Sequence, residues 1–189
     1  MELKTTDNPI ESAGPVKQVL SNLFYGWGYN FYRKENQLRA DDLLIRAKVS
    51  EMLGVMRAHL AALERDWRRE HLPAPTREHP FPDAAAVATA QGLQRVQQGI
   101  ESLETKVRTA PVPEMDRVTQ RHVNERDALE RLAAVDGELV LAAKSALDVV
   151  AGLLDPATAA SELAAVLAQS GMETLLVRRA EVLSVIAVV

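Results

Sequence analysis

The sequence predicts an all-α fold, an elongated helical bundle with two long central helices and shorter C-terminal helices. Three observations carry that expectation. Alanine, the strongest helix former, supplies much of a hydrophobic content of 47%. Glycine and proline number only nine each in 189 residues, and the prolines gather in a few clusters. Between those clusters, apolar residues recur at about 100° per residue, the spacing of one helix face.

The polar start, residues 1–14, reads as a flexible N-terminal segment, and 15–189 as a single helical-bundle domain. It lacks the apolar core of a signal peptide. From Leu38 to His71 a stripe of Leu38, Ile45, Val49, Met52, Met56, Leu60, Leu63 and Trp67 runs along one face, with Arg46, Glu51, Arg57 and Glu64 off it. Such a helix is about 50 Å long at 1.5 Å per residue. The stretch "LPAPTREHPFPD", residues 72–83, holds too many prolines to be helical throughout.

A second stripe of Val87, Ala90, Leu93, Val96, Ile100, Leu103 and Val107 predicts a helix from Ala84 to Arg108. Gly92 and Gly99 share one side of it. Each weakens the helix by about 1 kcal/mol, so a closely packed neighbour is the expected reason for them. After "TAPVPE", Met115, Val118, His122, Leu129 and Leu132 open a further helix. It either ends at "VDGEL", where Asp-Gly signals a turn, or continues to Leu154. In "LDPAT", Asp155 is suited to an N-cap and Pro156 to the first helical turn. The remainder, Pro156 to Val189, reads as two shorter helices around "QSGME".

The stretch "FYGWGYNFY" holds six of the chain's eight aromatic residues. On a helix from Pro15 to Arg33, Val16, Leu20, Leu23, Phe24, Trp27 and Phe31 share one arc. Tyr25, Tyr29 and Tyr32 form a separate ridge roughly 130° away at 100° per residue. Gly28 lies between the two arcs. Three outcomes are open for the ridge: burial under a neighbouring helix, contact with a protein partner, or one wall of a pocket for an aromatic or sugar-like ligand.

The next residues, "RKENQLRADD", put Lys34, Glu35, Asp41 and Asp42 on the continuation of the apolar arc. Unpaired buried charge is costly, so the expected explanation is a turn near Arg33 to Asn36, with a new helix starting near Leu38 or capped by Asp41. The alternative is a buried charged site near the tyrosines.

Composition and motifs narrow the function. A net charge of −4 with interspersed signs argues against nucleic acid as a partner. The absence of cysteine removes disulfides, thiolate metal sites and cysteine nucleophiles. No run of eighteen apolar residues is present to span a membrane. None of the four histidines follows a glutamate by three, so a di-iron centre is not expected, and no other metal site is indicated. Walker A, Gly-x-Gly-x-x-Gly and Gly-x-Ser-x-Gly patterns are absent. No catalytic residue is singled out, and a helical enzyme of unknown reaction stays open, because acid–base work needs only two well-placed carboxylates.

The reading that follows is a non-catalytic interaction protein, an adaptor or accessory factor of bacterial, cytoplasmic type. It binds a protein partner, or a second copy of itself, through helical faces. Its candidate partner-binding residues are Tyr25, Tyr29 and Tyr32, together with Ile186, Val188 and Val189 of the apolar end "LSVIAVV". The alternative is a ligand- or cofactor-binding bundle, for an aromatic small molecule or b-type haem. Trp27, Gly28, Tyr32, His59 and His122 are its candidate site.

Overall fold

The computed structural model describes residues 34–77, 80–113 and 125–187. Among them are five helices and no strand: α1 (Lys34–His71), α2 (Ala84–Thr109), α3 (Glu125–Gly152), α4 (Pro156–Gln169) and α5 (Met172–Ala187). The all-α expectation and the two long helices are therefore present as read. The N-terminal segment 1–14 and the aromatic stretch lie outside the described residues.

Cross-helix contacts set the directions. Ser50 meets Glu104 and Trp67 meets Ala86, so α1 and α2 are antiparallel. His59 meets Leu153, while Asp42 and Asp136 share Arg179, so α3 runs parallel to α1. The fourth limb is α4 and α5 in series. Gly92 faces Ala160 and Lys106 pairs with Glu173, so this limb follows α2. Between its halves the chain turns at Gly171, whose φ of +66° lies in the left-handed region. A side chain there would crowd the carbonyl oxygen, which is why glycine suits the position after a helix.

The core occupies the axis of these limbs. Ile45, Leu53, Met56 and Leu60 of α1 are buried against Leu93 and Ile100 of α2, Leu139 of α3 and Leu163 of α4. Asp155 caps α4 as its sequence suggested: its side chain accepts from the Ala157 N–H at 3.1 Å, and Pro156 opens the helix. Asp83 does the same for α2, accepting from Ala86 N–H at 2.8 Å.

One sequence expectation needs correction: no turn separates residues 36–41, because α1 is continuous from Lys34. Of the two readings open at "VDGEL", the continuing helix is the one present, since α3 passes through it to Gly152. In both places an aspartate, Asp42 or Asp136, is buried and paired with another helix, as described below.

The glycine pair of α2 divides. A Cβ on Gly92 would lie 3.3 Å from the Ala160 Cβ, so glycine lets α4 approach there. A Cβ on Gly99 would meet nothing within 4 Å. Gly99→Ala is therefore expected to stabilise the protein by ~1 kcal/mol, the helix-propensity gain. Gly92→Ala should return little or none of that gain, because α4 must shift to accept the methyl group. Urea unfolding of both variants checks this. Equal gains would mean that α4 is not closely seated on Gly92.

Candidate functional site

The chain spacing that makes α1 long also makes it outrun α2. α2 ends at Thr109, and the carbonyls of Arg108 and Ala110 are both reached by Arg46 Nη1 of α1, at 3.4 Å each. A cation at a helix C-terminus satisfies orphan carbonyls and opposes the negative end of the dipole. Beyond that point α5 crosses to α1, and its Arg179 enters the centre of the bundle with 0% exposure.

Three groups hold Arg179. Its guanidinium forms an ion pair with Asp42 of α1, and its Nε donates to Asp136 Oδ1 of α3 at 3.0 Å. Its Nη1 donates to the Pro111 carbonyl in the segment after α2. Arg46 adds a second cation, reaching Asp42 Oδ2 at 3.3 Å. Asp42 and Asp136 are each only 1% exposed. One arginine thus joins α1, α3, α5 and the post-α2 segment.

A polar seam continues down α1. Ser50 Oγ donates to Glu104 Oε1 at 3.0 Å and accepts from Arg108 Nε at 2.7 Å, and Arg108 also pairs with Glu104 at 2.8 Å. The seam matches three carboxylates with three guanidinium groups, the arrangement that makes buried charge tolerable. Burial raises the Asp136 pKa to about 7 against the opposing pull of Arg46. Burial lowers that of Arg179 to about 10, so it remains protonated at neutral pH. Asp42, Asp136 and Arg179 are buried almost completely, and together they clamp three helices.

Above the knot lies a small apolar cluster. Leu129 and Leu132 of α3 and Leu183 of α5 are buried together, with Leu38 of α1 and Val182 of α5 packed against them. The first turns of α1 and α3 and the last turns of α5 therefore share one end of the bundle.

Most of the sequence-predicted site residues fall outside the described part. Trp27, Gly28, Tyr25, Tyr29, Tyr32, His122, Val188 and Val189 lie there, as does the side chain of Ile186. His59 is described: it is half-buried on α1, and its Nε2 donates to the Leu153 carbonyl at 3.1 Å. At 1.5 Å per residue it stands about 38 Å along α1 from Lys34.

Sequence reasoning missed Arg179. Its signal was present: Met172, Leu175, Arg179 and Leu183 lie on one face of α5, and all four are buried. An arginine on an apolar stripe, like Asp42 and Asp136 on theirs, asks for a buried partner.

No protein-family model matches this chain, and no curated protein or solved structure is significantly similar to it. Among the described residues, no helix is long and apolar enough to cross a membrane, and no group of three or more His, Cys, Asp or Glu is placed to hold a metal ion.

Proposed function

We propose that this chain is a non-catalytic interaction protein of the cytoplasm, an adaptor or accessory factor that meets a protein partner at the knotted end of the bundle. The observation that supports this reading is the convergence of chain ends on one apolar cluster. α1 and α3 begin there, and α5 finishes there, around Leu38, Leu129, Leu132 and Leu183. The stretch carrying Tyr25, Tyr29 and Tyr32 joins α1 at Lys34, and Val188 and Val189 follow α5 directly. Both candidate contact surfaces are thus tethered to the same end.

The knot gives that end a rigid base. Arg179 ties α5 to α1 and α3, so groups tethered to these helices share one frame. Rigid presentation reduces the ordering cost of association.

The test is a full-length variant with Tyr25, Tyr29 and Tyr32 changed to alanine, used against a protein that co-purifies with the wild-type chain from its host. A hot spot of about 2 kcal/mol corresponds to a roughly 30-fold loss of affinity. That loss, with helical content unchanged by circular dichroism, is the expected result. Unchanged affinity would remove the tyrosine ridge from the interface. Lost helical content would return the tyrosines to the core.

A further inference from the structure

α1 is covered on only part of its circumference. Asp42, Arg46, Ser50 and Glu64 turn toward α2 and α5, and His59 turns toward α3. At about 100° per residue, the face left over along the middle of the helix carries Gly54, Val55, Ala58, Ala61 and Ala62. It is bounded by Glu51 on one side and Arg65 on the other. None of the five residues between them is charged, and Val55 is 51% exposed.

Beside this face runs a groove of about 530 Å³ between α1 and α2. Gly54, Ala58 and Ala61 line it from α1, and Gln94, Gln97 and Gln98 line it from α2. A glycine inside a helix costs about 1 kcal/mol against alanine. A Cβ on Gly54 would meet nothing within 4 Å, so packing within one copy gives no reason for glycine there. A helix approaching from outside does, because the side chains at the contact set the distance between packed helices. Gly99 is equally open but lies off the groove.

The sequence along the face is self-complementary when read in both directions from Ala58. Seven residues before it stands Glu51 and seven after it Arg65, opposite charges that are 62% and 73% exposed. Their contacts within the chain, to Lys48 and Asp66, are exposed surface pairs of little strength. Val55 stands three before Ala58 and Ala61 three after it; Gly54 stands four before and Ala62 four after. A two-fold axis at Ala58 therefore brings Glu51 of each copy to Arg65 of the other and seats Val55 of each against Ala61 of the other. Isologous contacts have this form, in which one patch meets itself. A parallel pairing would instead set Glu51 against Glu51 and Arg65 against Arg65.

We propose that two copies of this chain pair α1 against α1, antiparallel, about a two-fold axis at Ala58, each α1 lying along the groove between α1 and α2 of the other copy. The stretch from Glu51 to Arg65 spans about 21 Å. Ala58 stands about 30 Å along α1 from Leu38. Pairing here does not occupy the knotted end, and a failed tyrosine test leaves it intact.

Wild type is expected to sediment at twice 20.7 kDa. The chain has no cysteine, so an introduced thiol is its sole site of disulfide formation. Ala58→Cys and, as an exposed control on α4, Ala165→Cys are oxidised in the full-length protein at micromolar concentration. Thiols facing each other across an axis act at an effective concentration in the ~mM range, so covalent dimer at 58 is expected to form at least ~tenfold faster than at 165. In the same pair, thiols from Ala47→Cys lie about 33 Å apart along the helix, far beyond disulfide reach. They should cross-link no faster than those at 165. Glu51→Arg sets like charges opposite each other twice and is expected to weaken the dimer at least ~tenfold. Adding Arg65→Glu restores opposite charges and with them the wild-type affinity.

A single species at 20.7 kDa at every concentration from micromolar to millimolar would overturn the proposal and leave the face to a partner of another sequence. So would equal cross-linking at 58 and 165, which places the contact elsewhere. A dimer that ignores the Glu51→Arg change would overturn it as well.

Discussion

Replacing Arg179 by alanine is expected to destabilise the protein by about 3–5 kcal/mol, the cost of leaving buried charge without its partner. The substitution strands two carboxylates, Asp42 and Asp136, each 1% exposed. Only Arg46 remains near them, and it already serves the carbonyls at the end of α2. The Pro111 carbonyl also loses its donor. A loss of this size is a large fraction of a typical domain's whole stability. Urea denaturation checks the magnitude, and hydrogen exchange checks the place: amides of α5 should lose protection before those of α1 and α2.

A second variant separates charge from packing. Changing Asp42 and Asp136 to asparagine and Arg179 to methionine together removes all three charges while keeping most of the volume. Buried ion networks replaced in this way are often neutral or more stable. The triple variant should therefore recover most of the stability that the single variant loses. If Arg179→Ala costs less than about 1 kcal/mol, a surface-pair value, the knot is hydrated and does not clamp the helices.

The sequence made the helices legible because their apolar periods are long and their proline boundaries sharp. Leu38 to His71 and Ala84 to Arg108 were recoverable because the stripe of each faces a common core. Asp155 was legible for the same local reason, since a cap needs only its own next turn.

What stayed hidden is tertiary. Asp42 and Asp136 each sit where a local rule favours a helix boundary, and each is overruled by one arginine far along the chain. Asp42 and Arg179 are 137 residues apart. No local pattern names that partner. The alternative of a buried charged site near residues 34–42 was open from the charges lying on the core line, and Asp42 follows it. The glycines of α2 teach the same lesson: Gly92 and Gly99 look alike in sequence, and only Ala160 distinguishes them.

Asp136 makes the stability depend on pH in an unusual direction. Most buried, paired carboxylates hold their pKa low and lose stability as acid is added. Burial instead raises Asp136 to about 7, with Arg46 opposing. Arg179 also faces this carboxylate but divides its charge with Asp42. In the unfolded chain an aspartate titrates near 3.9. Below about pH 4 both states hold the proton, and the contribution of this group is at its most favourable. Between about pH 4 and 7 the folded protein keeps the proton while the unfolded chain gives it up. Stability from this group therefore falls as pH rises through that window, by a few kcal/mol at about 1.4 kcal/mol per pH unit, and the loss is complete above 7. Asp136→Asn removes the proton and keeps an oxygen acceptor for Arg179 Nε. Relative to wild type, its stability should be similar near pH 4 and greater by a few kcal/mol at pH 8. Urea melts of both proteins at half-unit intervals from pH 4 to 8 measure this difference. If wild type instead gains on the variant as pH rises, Arg179 holds Asp136 ionised and the ion pair outweighs burial. That sign would place the stabilising energy of the knot in its charges, and the gain expected for the uncharged triple variant would fail with it.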